Sequence, residues 1–295
     1  MTGKAFHIVD VFAERRYAGN PLAVVLDAGD VAAESMQAFA REMNFSETTF
    51  VTSIEMRDRG YDVRIFTPRE EVPFAGHPTL GTAFVIRREL AGEACHSVVL
   101  NLAVGSIPVT FESDAGGGEL LWMRQVAPEF GESVDVDSMA AVLGLETSDF
   151  DGRHPIQEVS TGLPVLIAPL RGLDAVKRCR VDRSRYDALV RDRRAKCVMV
   201  FCAETYDAEN DLNARVFADY FGVPEDPATG SANGCLAGYL ARFRYLGGAS
   251  VAARVEQGCE IGRPSLLYLR ATERGAEIDV QVGGRVRPCA HGVLD

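Results

Sequence analysis

Residues 225–240 read EDPATGSANGCLAGYL. From Pro227 to Ala241 no side chain carries a charge, and alanine, glycine and serine put small residues on every face. A helix with no polar stripe is enclosed by protein on all sides. Pro227 suits the first helical position, which places Asp226 at the N-cap. A second stretch, FAGHPTLGTAF at 74–84, repeats the theme. HPTLGTA from His77 matches DPATGSA from Asp226, 149 positions on, with proline, glycine and alanine coincident and Thr82 facing Ser231.

Two further echoes keep the same order. GNPLAVV at Gly19 returns as GLPVLIA at Gly162, and DVRIF at 62–66 returns as NARVF at 213–217. Three echoes in series define an internal duplication. Around them the chain is strand-rich. Strand character marks 5–12, 22–26, 48–52, 62–66, 98–102, 106–111 and 119–125. Met36, Phe39, Ala40 and Met43 fall at helical spacing over 34–43. Asp114–Gly118 reads as a loop tip, and APEFGE at 127–132 breaks the strand pattern with Pro128 and Gly131. The expected fold is α+β: two pseudo-symmetric domains, 1–127 and 128–295, each a barrel-like sheet around one central helix, with a cleft between them.

The bulk composition narrows the partners. The 295 residues are 47% apolar and 25% charged, with a formal net charge of −11. Such a field disfavours nucleic acid and anionic membranes. No apolar run approaches the roughly 20 residues of a membrane span, and MTGKAFHIVD carries no signal-peptide core. Seven scattered cysteines without a CxxC pair read as reduced, cytoplasmic thiols. The five histidines show no metal-ligand spacing, so no metal is expected. No GxGxxG or GxxxxGK[ST] is present.

The helix heads carry the chemistry. Free N–H groups at a helix start attract anions, so the two helix heads are expected to form a carboxylate-binding site. His77 is a poor cap, which argues for another role. Glycine inside a helix costs about 1 kcal/mol against alanine, so Gly81 points to a close neighbour. Glu47, between the 34–43 helix and the next strand, shares a face with Phe45, Thr49 and Val51; a partly apolar setting suits a general acid–base. Glu70 and Glu71 read as strand-edge carboxylates, Glu225 as solvated or paired with an arginine, and Cys235 as core.

GNPLAVV, NFSETTFV, FTPREEVPFAGHPTLGTA and EDPATGSANGCLAGYL together resemble the signature blocks of the PhzF-like phenazine-biosynthesis family, in order and over essentially the whole chain. The resemblance implies a fold like that of diaminopimelate epimerase, usually as a homodimer. It implies a cofactor-independent isomerase acting on trans-2,3-dihydro-3-hydroxyanthranilate, with Glu47 moving a proton, His77 and Asp226 as the other polar catalytic groups, and Gly76, Gly230 and Ser231 binding substrate. Diaminopimelate epimerase has two cysteines at its helix heads; His77 and Asp226 stand here, which argues against a two-thiol racemase. An epimerase or racemase of an amino-acid-like substrate and a non-catalytic carboxylate-binding protein are the alternatives.

Overall fold

The structure, a computed structural model, describes residues 1–113, 118–275 and 277–295. The expected loop tip at 114–118 lies outside them except for Gly118. In chain order the elements begin β1 (Ala5–Val11), β2 (Asn20–Val25), α1 (Ala33–Met43), β3 (Thr48–Val51), β4 (Tyr61–Phe66), β5 (Glu71–Val72), α2 (Gly76–Ile86), β6 (Ser97–Leu102), β7 (Gly105–Ser113) and β8 (Glu119–Arg124). They continue β9 (Glu129–Val134), α3 (Val136–Leu143), β10 (Ile156–Ser160), β11 (Pro164–Pro169), α4 (Leu173–Arg178), α5 (Arg183–Val190), β12 (Cys197–Cys202), β13 (Leu212–Ala218), β14 (Val223–Asp226) and α6 (Gly230–Arg242). The chain closes with β15 (Ser250–Gln257), β16 (Ser265–Arg274), β17 (Glu277–Gly284) and β18 (Val286–Val293).

Two compact units result: Met1–Arg124 with Gly283–Asp295, and Gln125–Val282. The expected boundary at 127/128 therefore needs correction at the C-terminal end. Residues 283–295 return to the first unit because β18 pairs antiparallel with β1 along its length. Nor does 127–132 interrupt the sheet: β9 runs through Gly131, which stands where a Cβ would come within 2.6 Å of Glu158 Oε1.

The duplication is written in the pairing of the strands. In the first unit β1–β2 is antiparallel, β2–β3 parallel, β3–β4 and β4–β5 antiparallel, β4–β6 parallel and β6–β7 antiparallel. In the second, β10–β11, β11–β12, β12–β13, β13–β14, β13–β15 and β15–β16 repeat those senses in the same order.

Each unit encloses one small-residue helix. Every residue of α2 except Phe84 is buried, as is α6 from Gly230 to Ala241. The strands can approach α2 closely because Gly81 has no side chain: a Cβ there would lie 2.6 Å from Leu22 Cδ2 and 2.8 Å from Val11 Cγ2. The amphipathic helices cover the outer sheet surfaces instead. α1 turns Met36 and Ala40 inward onto Val25, Phe50 and Phe66, and stops at Asn44, whose left-handed backbone lets its N–H bond Ala40 O. In the second unit Met139, Leu143, Val176 and Tyr186 from α3, α4 and α5 build the matching layer on Leu166, Val198 and Val200. Among the described residues no helix is long and apolar enough to cross a membrane.

Candidate active site

The starts of α2 and α6 correct the register read from the sequence. α6 begins at Gly230 with Thr229 as its cap, and Asp226 is the last residue of β14. α2 begins at Gly76, so His77 and Pro78 lie inside its first turn. Asp226 is thus not an N-cap, and neither proline opens a helix. Aligned on helix starts, Pro73-Phe74-Ala75-Gly76-His77 corresponds to Pro227-Ala228-Thr229-Gly230-Ser231, which pairs His77 with Ser231 and Val72 with Asp226. The strand registers agree, since Ile65 faces Val72 where Val216 faces Asp226. The seven-residue echo was a coincidence of two proline–glycine spacings, five residues out of step.

In the first unit the fold brings Glu47 and His77 together. Glu47 precedes β3 and is half-buried. His77 is buried, and its Nε2 stands 3.5 Å from Glu47 Oε2. Burial drives the imidazole down to about 3, against a raising hydrogen bond with the Pro21 backbone. His77 is therefore neutral over the working range of most enzymes. Nε2 has no hydrogen-bond partner among the described residues, so the Pro21 carbonyl takes the Nδ1 proton. That fixes the tautomer: the nitrogen facing Glu47 carries a lone pair. One turn deeper, Thr82 and Thr49 bond hydroxyl to hydroxyl at 2.8 Å, fully buried.

In the second unit Asp226, Gly230 and Ser231 gather at the start of α6. Ser231 is buried at the helix head and its carbonyl lies 3.4 Å from Thr161 Oγ1. Thr229 Oγ1 bonds Asp226 Oδ2. Gln257 from the end of β15 bonds Asp226 O at 2.8 Å and Asn233 Nδ2 at 2.9 Å. Sequence reading missed Gln257 because it lies 31 residues beyond Asp226, on another strand. Glu225 forms a buried bidentate pair with Arg215, which also donates to Val176 O and Cys179 O. Arg64 and Glu71 make the same pair at the surface of the first unit. Cys235 lies in the core, where desolvation pushes its thiol up to about 11. Among the described residues no three His, Cys, Asp or Glu side chains group as metal ligands would.

Known proteins match this description along the full chain. Residues 9–292 match the family described as phenazine biosynthesis-like protein. Trans-2,3-dihydro-3-hydroxyanthranilate isomerase of Pseudomonas aeruginosa is 36% identical, over 97% of this chain and 97% of its own. An uncharacterised isomerase of Mesorhizobium japonicum is 34% identical, over 100% and 99%. The crystal structure of a PhzF-family phenazine biosynthesis protein of Bacillus anthracis superimposes with a TM-score of 0.92 at 28% identity, covering 100% of this chain and 99% of that one. The named relatives and the family match define the class as an isomerase. The chain belongs to the PhzF-like phenazine-biosynthesis family.

Proposed function

We propose that the protein is a cofactor-independent isomerase that moves a proton on a small carboxylate, and that its substrate is trans-2,3-dihydro-3-hydroxyanthranilate, as for the Pseudomonas relative. The observation that carries this reading is Glu47 Oε2 at 3.5 Å from Nε2 of a neutral, buried histidine. In this role Glu47 takes a proton from substrate carbon as a carboxylate. The acid so formed points its O–H at His77 Nε2, which cannot itself supply a competing proton. Glu47 then returns the proton to another carbon of the same molecule, so atoms and charge balance without a second reactant. A positioned acid–base of this kind contributes about 10²–10⁴-fold to rate.

Asp226 acts as the second polar group. Gly76 in the first unit, and Gly230 with the Ser231 hydroxyl in the second, are the substrate-binding groups, since free helix-start donors bind anions. The reading includes a cytoplasmic enzyme, in keeping with seven free thiols, and a homodimer, as the family resemblance suggests.

The test is proton NMR in D2O with the purified protein and trans-2,3-dihydro-3-hydroxyanthranilate. Native protein should convert the compound, and Glu47→Gln should lose at least about 10²-fold in kcat while keeping its fold. Full turnover by Glu47→Gln would sink the assignment. Deuterium entering with inversion of a stereocentre would move the reading to an epimerase using Glu47 and Asp226.

A further inference from the structure

The turn that delivers Asp226 is held by a chain of hydrogen bonds whose direction can be worked out. Gln257 is fully buried, so its amide must be satisfied within the protein. Two backbone groups fix which way it points. The Asp226 carbonyl only accepts, so it faces the Gln257 nitrogen, at 2.8 Å. The Thr229 N–H only donates, so it faces Oε1, at 3.3 Å. Asn233 Nδ2 donates to the same Oε1 at 2.9 Å. The second Gln257 N–H then reaches Thr229 Oγ1 at 3.2 Å. A hydroxyl that accepts there turns its own hydrogen elsewhere, and the other partner is Asp226 Oδ2. The polarity runs one way, from Gln257 through Thr229 to Asp226.

From this geometry we propose that Thr229, oriented by Gln257, is a positioning residue that fixes the rotation of the Asp226 carboxylate. Oδ2 receives the Thr229 hydrogen, which holds the carboxylate in one rotation. The counterpart of Thr229 in the first unit is Ala75, which has no such group. The inference rests on the reading that Asp226 takes part in the reaction.

Turnover of trans-2,3-dihydro-3-hydroxyanthranilate in D2O would be compared for native protein, Asp226→Asn, Thr229→Val and Thr229→Ser. Thr229→Val keeps the shape and loses the hydroxyl; kcat should fall about 10–100-fold with KM within about twofold. Thr229→Ser restores the donor and should recover to within about threefold of native. Native rate in Thr229→Val beside an impaired Asp226→Asn overturns the inference and leaves the Asp226 reading standing. Equal losses in Thr229→Val and Thr229→Ser mean packing alone, and also overturn it. Full rate in Asp226→Asn, or no turnover by native protein, overturns the reading and the inference together. If Thr229→Val fails to fold, Thr229→Ala against Thr229→Ser at matched Tm carries the same comparison.

Discussion

The starts of α2 and α6 are two solutions on one scaffold. Each follows a short strand, a proline and two residues before the helix's first glycine. Each short strand carries a glutamate that pairs with an arginine on the strand before it. The first head places a neutral histidine beside Glu47, with its tautomer set by the Pro21 backbone. The second puts an acid on the strand end and a hydroxyl at the cap, and ties both to Gln257. Duplication kept the backbone and let the titratable chemistry diverge, because the strand ladder fixes main-chain positions while side chains at a helix head are free to change.

The largest stability contrast should come from the repeated Arg–Glu pair. Side-chain exposures are 7% and 10% for Arg215 and Glu225, against 35% and 43% for Arg64 and Glu71. Arg215→Met strands a buried carboxylate and should cost about 3–5 kcal/mol. Arg64→Met should cost under about 1 kcal/mol. Calorimetric unfolding of both variants decides it, and equal losses would break the contrast. Adding Glu225→Leu to Arg215→Met should recover most of the loss, since a buried pair is replaceable by apolar side chains.

Acid should separate the heads next. The His77 pKa falls from 6.5 unfolded to about 3 folded. Between those values the unfolded chain binds a proton that the folded one does not. Stability linked to His77 is therefore intact above about pH 6.5 and is lost as pH falls toward 3. The loss amounts to roughly 3–5 kcal/mol. His77→Gln should flatten the native acid slope by that much in urea titrations run across the window. An unchanged slope would mean the imidazole is charged in the fold. For the same reason no activity limb near pH 6.5 should belong to His77.

The smallest effect tests the register. Thr82, which the echo matched to Ser231, is fully buried and bonded to Thr49. Thr82→Val should cost about 1 kcal/mol and leave turnover unchanged. Ser231→Ala should instead raise KM with little loss of stability. A turnover defect in Thr82→Val would restore the sequence register against the structural one.

Much of this protein was legible in the sequence. Duplication, enclosed helices and strand runs are local patterns of apolarity and small residues, and such patterns survive without a partner in view. His77 stood out because histidine is a poor cap, Asp226 because it heads the echoed stretch and Glu47 because it lies on a partly apolar face, and the family resemblance gave them roles to test. The tertiary structure decided the rest. Pairing of β18 with β1 returned residues 283–295 to the first unit, since strand ladders join residues far apart in sequence. Backbone geometry moved the helix starts and re-paired His77 with Ser231, because a matched dipeptide spacing does not say where hydrogen bonding begins. The neutrality of His77 came from burial and its tautomer from a carbonyl on β2; the hold on Asp226 came from an amide at the end of β15. Both depend on three-dimensional neighbours, and one strand of sequence does not contain its neighbours.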